Sequence, residues 1–255
     1  MKFVLIKRRS AILAAAAVLI LVGAIVAVSC TNAARVFSNQ TTRLSPINAV
    51  ATDAQVVALS FDASWGEGHA LDILRVLEEQ DARATYFVIG SWAEKHSEYL
   101  RALSSSGRVE IGTHSNTHSR MPRLRERQME FELNSSVSII QGITGNPIDL
   151  FRPPFGEYSD TVLSVAERLG FFTIRYDVDS LDWQDLSSYD LTTRVLTQAG
   201  AGSIILLHND GRNTLEALPA IIQGLRNRGL ELVTVGEMIH RENFTIDQNG
   251  KQIKR

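Results

Sequence analysis

One cysteine, Cys30, among 255 residues excludes an internal disulfide, so the fold of this chain rests on packing alone. The interior has no long basic run and the formal net charge is only -2, which removes the electrostatic footprint of a nucleic-acid binder. No internal repeat is visible. Disorder is excluded for most of the chain as well, because 44% of the residues are apolar and the length suffices to bury a full core.

Against these absences stands one long hydrophobic run. Lys2, Lys7, Arg8 and Arg9 precede an unbroken apolar stretch from Ala11 to Val28. As a helix it rises about 27 Å, close to the roughly 30 Å of a hydrocarbon core. Residues 10–30 therefore read as a transmembrane anchor or signal sequence. The basic flank predicts that residues 1–9 stay in the cytoplasm and that everything after Cys30 is exported. Signal cleavage near Ala27-Val28-Ser29, giving a secreted protein, is the rival reading, and a lipid anchor at Cys30 is the weaker third. All three place the following domain outside the cytoplasm. From residue 31 to 52 the composition turns polar and small, as in a linker carrying no core.

Beyond this segment, apolar runs of strand length alternate with amphipathic helical patterns. Strands are expected at Val56–Phe61, Ala84–Ile89, Val109–Thr113, Phe172–Asp177, Ser203–Leu207 and Leu230–Val235, with a short apolar segment at Asp149–Phe151. Helices are expected where Ala70, Leu71, Leu74 and Leu77 recur, over Ala93–Ser106, over Arg125–Ile143, after a Ser159 cap, and around Leu218 to Leu225. Repeated β and α units of this length mean an α/β fold with a mostly parallel sheet, open or rolled into a barrel, over residues 53–240. Residues 241–255 read as a polar tail.

In such folds ligands gather beyond the carboxyl ends of the strands. The unusual polar residues recur there: Asp62 at the end of the first strand, His114 and His118 after the third, Arg152 after the short segment, Asp179 and Asp182 after the Phe172 strand, and His208 at the end of the Ser203 strand. Two histidines four residues apart share one side of a helical turn and can ligate one ion, or they can be loop or capping residues. His208 closes a buried apolar strand, so its ring nitrogens need partners.

Five ordered motifs, Ser60-Phe61-Asp62, His114-Ser-Asn-Thr-His118, Arg152-Pro153-Pro154-Phe155-Gly156, Asp179-Ser180-Leu181-Asp182-Trp183 and Leu206-Leu207-His208, resemble the polysaccharide deacetylase family, also called the NodB-homology domain or carbohydrate esterase family four. The resemblance runs from about Val56 to Val235, and Ser64-Trp65-Gly66-Glu67 looks most like the branch associated with sporulation and envelope proteins of Gram-positive bacteria. It implies a distorted (β/α) barrel of about seven parallel strands and a metal-dependent hydrolase that removes acetyl groups from amino sugars of a cell-wall glycan. Peptidoglycan is the preferred substrate.

Carried over by position, the resemblance makes His114 and His118 ligands of a divalent metal, zinc or else cobalt or another transition metal. Asp62 becomes the general base, paired with Arg152, and His208 the general acid, held by Asp182. A backbone N–H at Pro154-Phe155 would face the oxyanion, with Trp183 and Leu207 walling the acetyl pocket. One departure stands out: most of the family carries a second, metal-binding aspartate directly after the first, and here that position is Ala63. Glu67 is the nearest carboxylate that could substitute, or it is a first-turn helix residue. The alternative to an enzyme is a degenerate envelope module that binds glycan or a partner protein without turnover.

Overall fold

The computed structural model describes residues 44–255. The expected membrane segment, Cys30 and most of the expected linker lie outside these residues. Among the described residues, no helix is long and apolar enough to cross a membrane.

The domain is built from parallel strands and outer helices. In chain order they are β1 (Ala49–Val50), β2 (Val56–Ala63), α1 (Ala70–Glu79), β3 (Ala84–Val88), α2 (Gly90–Lys95), α3 (Ser97–Ser105), β4 (Val109–Thr113), α4 (Glu126–Thr144), β5 (Leu150–Phe151), α5 (Asp160–Arg168), β6 (Phe172–Thr173), β7 (Val178–Asp179), α6 (Ser188–Gln198), β8 (Ile204–His208), α7 (Thr214–Asn227), β9 (Glu231–Leu232), α8 (Val235–Met238), β10 (Phe244–Ile246) and β11 (Lys251–Lys254). Seven strands run in the order β6-β5-β4-β3-β2-β8-β7, and β9 pairs with the start of β2. Every pairing in this sheet is parallel. The sheet curls into a distorted barrel whose two edges, β6 and β7, do not pair with each other.

Strand alternation sorts the core into two sides. Val57, Leu59, Phe61 and Ala63 of β2 join the cluster formed with the inner faces of α1, α6 and α7. Ala58 points the other way, into an inner cluster with Phe87, Leu150, Ile174 and Ile204. The inner side is apolar at one end and turns polar toward the carboxyl ends, where Ser60 and Asp62 follow Ala58 at two-residue spacing. On α1 the buried residues are Ala70, Ile73, Leu74 and Leu77, so the apolar stripe runs through Ile73 while Leu71 is exposed.

Several expectations are revised. The helix expected over Ala93–Ser106 is two helices separated at His96, and the Phe172 strand breaks after two residues. There the Asp177 carboxylate accepts from the Ser203 hydroxyl (2.9 Å) and the Ile204 N–H (2.8 Å) before β7 begins. The second half of the expected linker is core: Ile47 and Val50 are fully buried. The Ile47 N–H donates to Thr173 O (2.8 Å) and Arg175 N–H donates to Ile47 O (2.7 Å), while Val50 N–H donates to Gly202 O (2.9 Å). This segment thereby fills the seam between the two sheet edges below β7. Gly202 (φ 79°) is required there, because a Cβ would sit 1.9 Å from Val50 O. The expected polar tail is also structured. β10 and β11 form a hairpin that pairs β11 with β1, and the buried Gln252 exchanges hydrogen bonds with the backbone of His240.

Since Ile47 is interior, Ile47→Ala should lower the unfolding free energy by about 2–5 kcal/mol, the range for truncating a buried isoleucine, measured by denaturant titration. A linker residue would give no change.

Candidate active site

The carboxyl ends of the strands open into a cleft of about 580 Å³. Six of the residues expected from the sequence, Asp62, His114, His118, Arg152, Asp182 and His208, line it together.

Arg152 organises one wall. It directly follows β5, is 1% exposed, and its guanidinium lies 4.1 Å from the centre of the Phe87 ring. Its Nη1 donates to Asp62 Oδ1 (2.8 Å), and its Nη2 donates to Ser60 Oγ (2.7 Å) and Arg175 O (3.1 Å). The Ser60 hydroxyl in turn donates to Ile205 O (2.7 Å). Burial raises the pKa of the Asp62 carboxyl, but it is outweighed by the charge His114 carries once protonated at low pH and by the permanent charge of Arg152, leaving the group below the ordinary value of 3.8. The Arg152 cation thereby keeps the carboxylate ionised at neutral pH despite its burial.

His114 and His118 converge by a different route from the one expected. No helix joins them; the loop after β4 carries Ser115 (φ 70°) and His118 (φ 58°) in left-handed conformations, and the two rings lie 4.9 Å apart. His114 Nδ1 bonds to Arg152 O (2.7 Å), so the ring is oriented by the same residue that orients Asp62, and Nε2 stands 3.4 Å from Asp62 Oδ2. Burial pushes the His114 pKa down, and burial with the neighbouring His114 charge takes His118 down to about 4. Both rings are therefore neutral near pH 7.

His208 ends β8 and faces the cleft from the other side. Its Nδ1 bonds to Asp182 Oδ1 (2.7 Å), while Asp182 Oδ2 accepts from the His208 backbone N–H and the Thr214 hydroxyl, each at 2.7 Å. Burial alone would lower the imidazole pKa, but the Asp182 hydrogen bond and charge prevail and raise it to about 9. Asp182 sits in a short 3-10 turn bounded by Leu181 (φ 56°) and Asp185 (φ 54°), a local strain of the kind that functional sites retain.

Phe155 (φ 60°) and Trp183 are at the rim, 52% and 59% exposed. Leu207 is not in the cleft. It is fully buried in the outer cluster, and strand alternation presents Leu206 in its place. Glu67 does not line the cleft either; its carboxylate accepts from Tyr99 Oη (3.4 Å). Ala63 is fully buried in the outer cluster, on the face opposite Asp62. Sequence reasoning missed Trp65, 61% exposed beside His118 (ring centroids 5.5 Å), as well as Tyr176, Asp210 and Arg212 of the lining. Trp65 was legible as a tryptophan two residues past a buried strand; nothing in the pattern marks the other three.

The donor set suits a divalent transition metal with two protein nitrogens. Both imidazoles are neutral, His114 is oriented by a backbone carbonyl in the way metal ligands usually are, and the buried His118 Nδ1 has no partner among the described residues. Among those residues no group of three His, Cys, Asp or Glu side chains is arranged to hold an ion. The two imidazoles are one fewer than the three protein ligands usual at catalytic zinc.

Parallel β/α architecture with a histidine–carboxylate cleft at the strand ends defines a distorted (β/α) barrel with its candidate site at the carboxyl face. The family described as polysaccharide deacetylase matches residues 49–174. The peptidoglycan-N-acetylmuramic acid deacetylase PdaC of Bacillus subtilis is 33% identical over 184 residues, covering 72% of this chain but only 38% of that protein. The solved PdaC structure superposes with a TM-score of 0.67 at 33% identity over 74% of this chain and 92% of that one. A family-four pseudoenzyme from Bacillus anthracis superposes with a TM-score of 0.74 at 26% identity, over 81% and 70% of the respective chains. This chain belongs to the polysaccharide deacetylase family.

The raised His208 pKa makes stability depend on pH. Between the ordinary 6.5 of an unfolded imidazole and about 9, the folded state binds the extra proton. The contribution is complete below pH 6.5 and disappears as pH rises through about 9. Unfolding free energies measured from pH 6 to 10 should show this decline, and Asp182→Asn should flatten it.

Proposed function

We propose that this chain is an N-deacetylase that hydrolyses acetamido groups on amino sugars of an exported cell-wall glycan, peptidoglycan above all. The observation that carries the reading is the pair of oriented proton-transfer groups in one cleft: Asp62 held by Arg152, and His208 held by Asp182 at 2.7 Å. The PdaC name supports peptidoglycan as the glycan. With residues 10–30 as anchor or signal, the domain would meet this glycan outside the cell membrane.

In the proposed reaction, Asp62 accepts a proton from water as it attacks the acetamide carbon. Its low pKa alone makes a weak base, so its role depends on a water already made acidic. His114 and His118 would hold a divalent ion, zinc or cobalt by the donor type, which when bound would supply that acidity and polarise the carbonyl. The Phe155 N–H is the candidate oxyanion donor, since the neighbouring Gly156 and Glu157 amides are taken up inside the turn by Pro153 O and Pro154 O, each at 3.1 Å. As the C–N bond breaks, His208 donates a proton from Nε2 to the sugar nitrogen, and Asp182 stabilises the imidazolium beforehand. Acetate and a free amine leave. Leu206, Trp183 and Trp65 give the cleft apolar walls for the acetyl methyl and the sugar rings.

The second reading, a glycan-binding module without turnover, draws on Ala63 and on the likeness to a pseudoenzyme. Acetate release from N-acetylglucosamine oligomers and from peptidoglycan, with and without added zinc or cobalt, separates the two. Metal-dependent release is expected, falling about 10²–10⁴-fold in Asp62→Asn and His208→Ala, as for loss of a general base or acid. The rate should also decline as pH rises through about 9, where His208 loses its proton. Glycan binding with no release in any metal would establish the binding module.

A further inference from the structure

Helix α4 buries Met129, Glu132, Leu133, Ser136 and Ile140 along one face. Four of these suit a helix packed on a sheet. Glu132 does not: it is only 7% exposed, and a buried carboxylate needs several donors to be tolerated. It finds three, all on the loop between the two histidines. Its Oε2 accepts from the Asn116 and Thr117 backbone N–H groups, both at 2.9 Å, and its Oε1 accepts from the Thr117 hydroxyl at 2.7 Å.

The same loop is held from its other side by carbonyl groups. Gly90 N–H donates to Ser115 O (3.0 Å) and Ser91 N–H to Asn116 O (3.1 Å), and a Cβ at Gly90 would meet Asn116 Oδ1 at 2.2 Å and Ser136 Cα at 3.1 Å, so the glycine lets α2 start close against the loop and α4. Between these anchors the chain carries two left-handed non-glycine residues, Ser115 and His118. Each such residue is strained and persists only where the surroundings over-determine it. Glu132 supplies that determination at the two residues midway between the rings, although it does not line the cleft.

We propose that Glu132 is a positioning residue that sets the spacing and orientation of His114 and His118 for joint binding of one divalent cation. This rests on the proposed metal role of the two histidines. Glu132 acts by accepting hydrogen bonds from the loop backbone, and its charge is not required for that. A glutamine can keep the arrangement, accepting from both amides through its oxygen and donating to the Thr117 hydroxyl, which also has Ser119 Oγ at 2.9 Å. A leucine would continue the apolar stripe and leave both amides without an acceptor.

The test is cobalt(II) titration of the metal-free full-length chain by calorimetry and visible absorption, with unfolding midpoints measured in parallel without metal. Glu132→Leu is expected to weaken cobalt binding about 10–100-fold, the range for loss of an outer-sphere partner, and to alter the absorption band of the bound ion. Glu132→Gln should restore affinity to within a few-fold of the parent. Thr117→Val, which removes one of the three bonds, should weaken binding a few-fold and serves if the leucine variant does not fold. Parent-like cobalt affinity in Glu132→Leu or, failing that variant, in Thr117→Val overturns the proposal, and so does a glutamine variant as weak as the leucine one. A parent chain that binds no cobalt overturns the metal reading together with this one, whereas tight binding by parent and leucine variant alike overturns this one alone.

Discussion

A buried guanidinium holds this site together. Arg152 is packed against Phe87, neutralises Asp62, ties Ser60 and the Arg175 carbonyl to the same point, and through its own backbone carbonyl fixes the His114 ring. Removing one partner from a buried ion pair costs about 3–5 kcal/mol, because the other charge is left without solvent or counterion. The arrangement is therefore stable only as a whole. That coupling brings a carboxylate and an imidazole into one register from strands that are distant in sequence, and it makes the barrel interior polar at one end only.

The Asp62–Arg152 and His208–Asp182 pairs differ in construction, and the difference follows from their surroundings. Asp62 has a permanent cation on one side and is driven toward its charged form despite burial. His208 has a buried carboxylate with two further donors, and is driven toward its charged form too. One cleft thus keeps a deprotonated acid and a protonated base near neutral pH, the separation of titration behaviour that acid–base chemistry needs. Ala63 lies outside this balance. On the outer face of β2 it packs among Val57, Leu59 and Phe61, so its methyl group serves the core and leaves the histidine pair with a sparse set of companions.

The architecture was legible where the pattern was long. Runs such as Val56–Phe61 and Ser203–Leu207, set between amphipathic helices, announce parallel β/α units, and the polar residues at their carboxyl ends announce the cleft. Short or bent segments were not legible: β6 and β7 are two residues each and are divided by a side-chain bond from Asp177, which no periodicity encodes. Leu207 was misplaced because it was carried over from the family motif; two-residue alternation from the cleft-facing His208 assigns Leu206 instead. Ile47 and the terminal hairpin were hidden for another reason. Their burial depends on partners far along the chain, so local composition looks like linker and tail. Glu132, in contrast, was open to discovery as a carboxylate standing in an apolar helical stripe.

The seam-filling segment has a consequence for the order of folding. Ile47 and Val50 enter early in the sequence, yet their hydrogen-bonding partners are Thr173, Gly202 and the β11 strand at the far end of the chain. During synthesis these residues must wait for nearly the whole domain to emerge before they can be sequestered. Contacts of such separation carry a large loop-closure penalty and form late. The seam is therefore completed in steps set by the chain's length: Thr173 and Gly202 must emerge before Ile47 and Val50 find these partners, and β1 gains its strand neighbour only with β11.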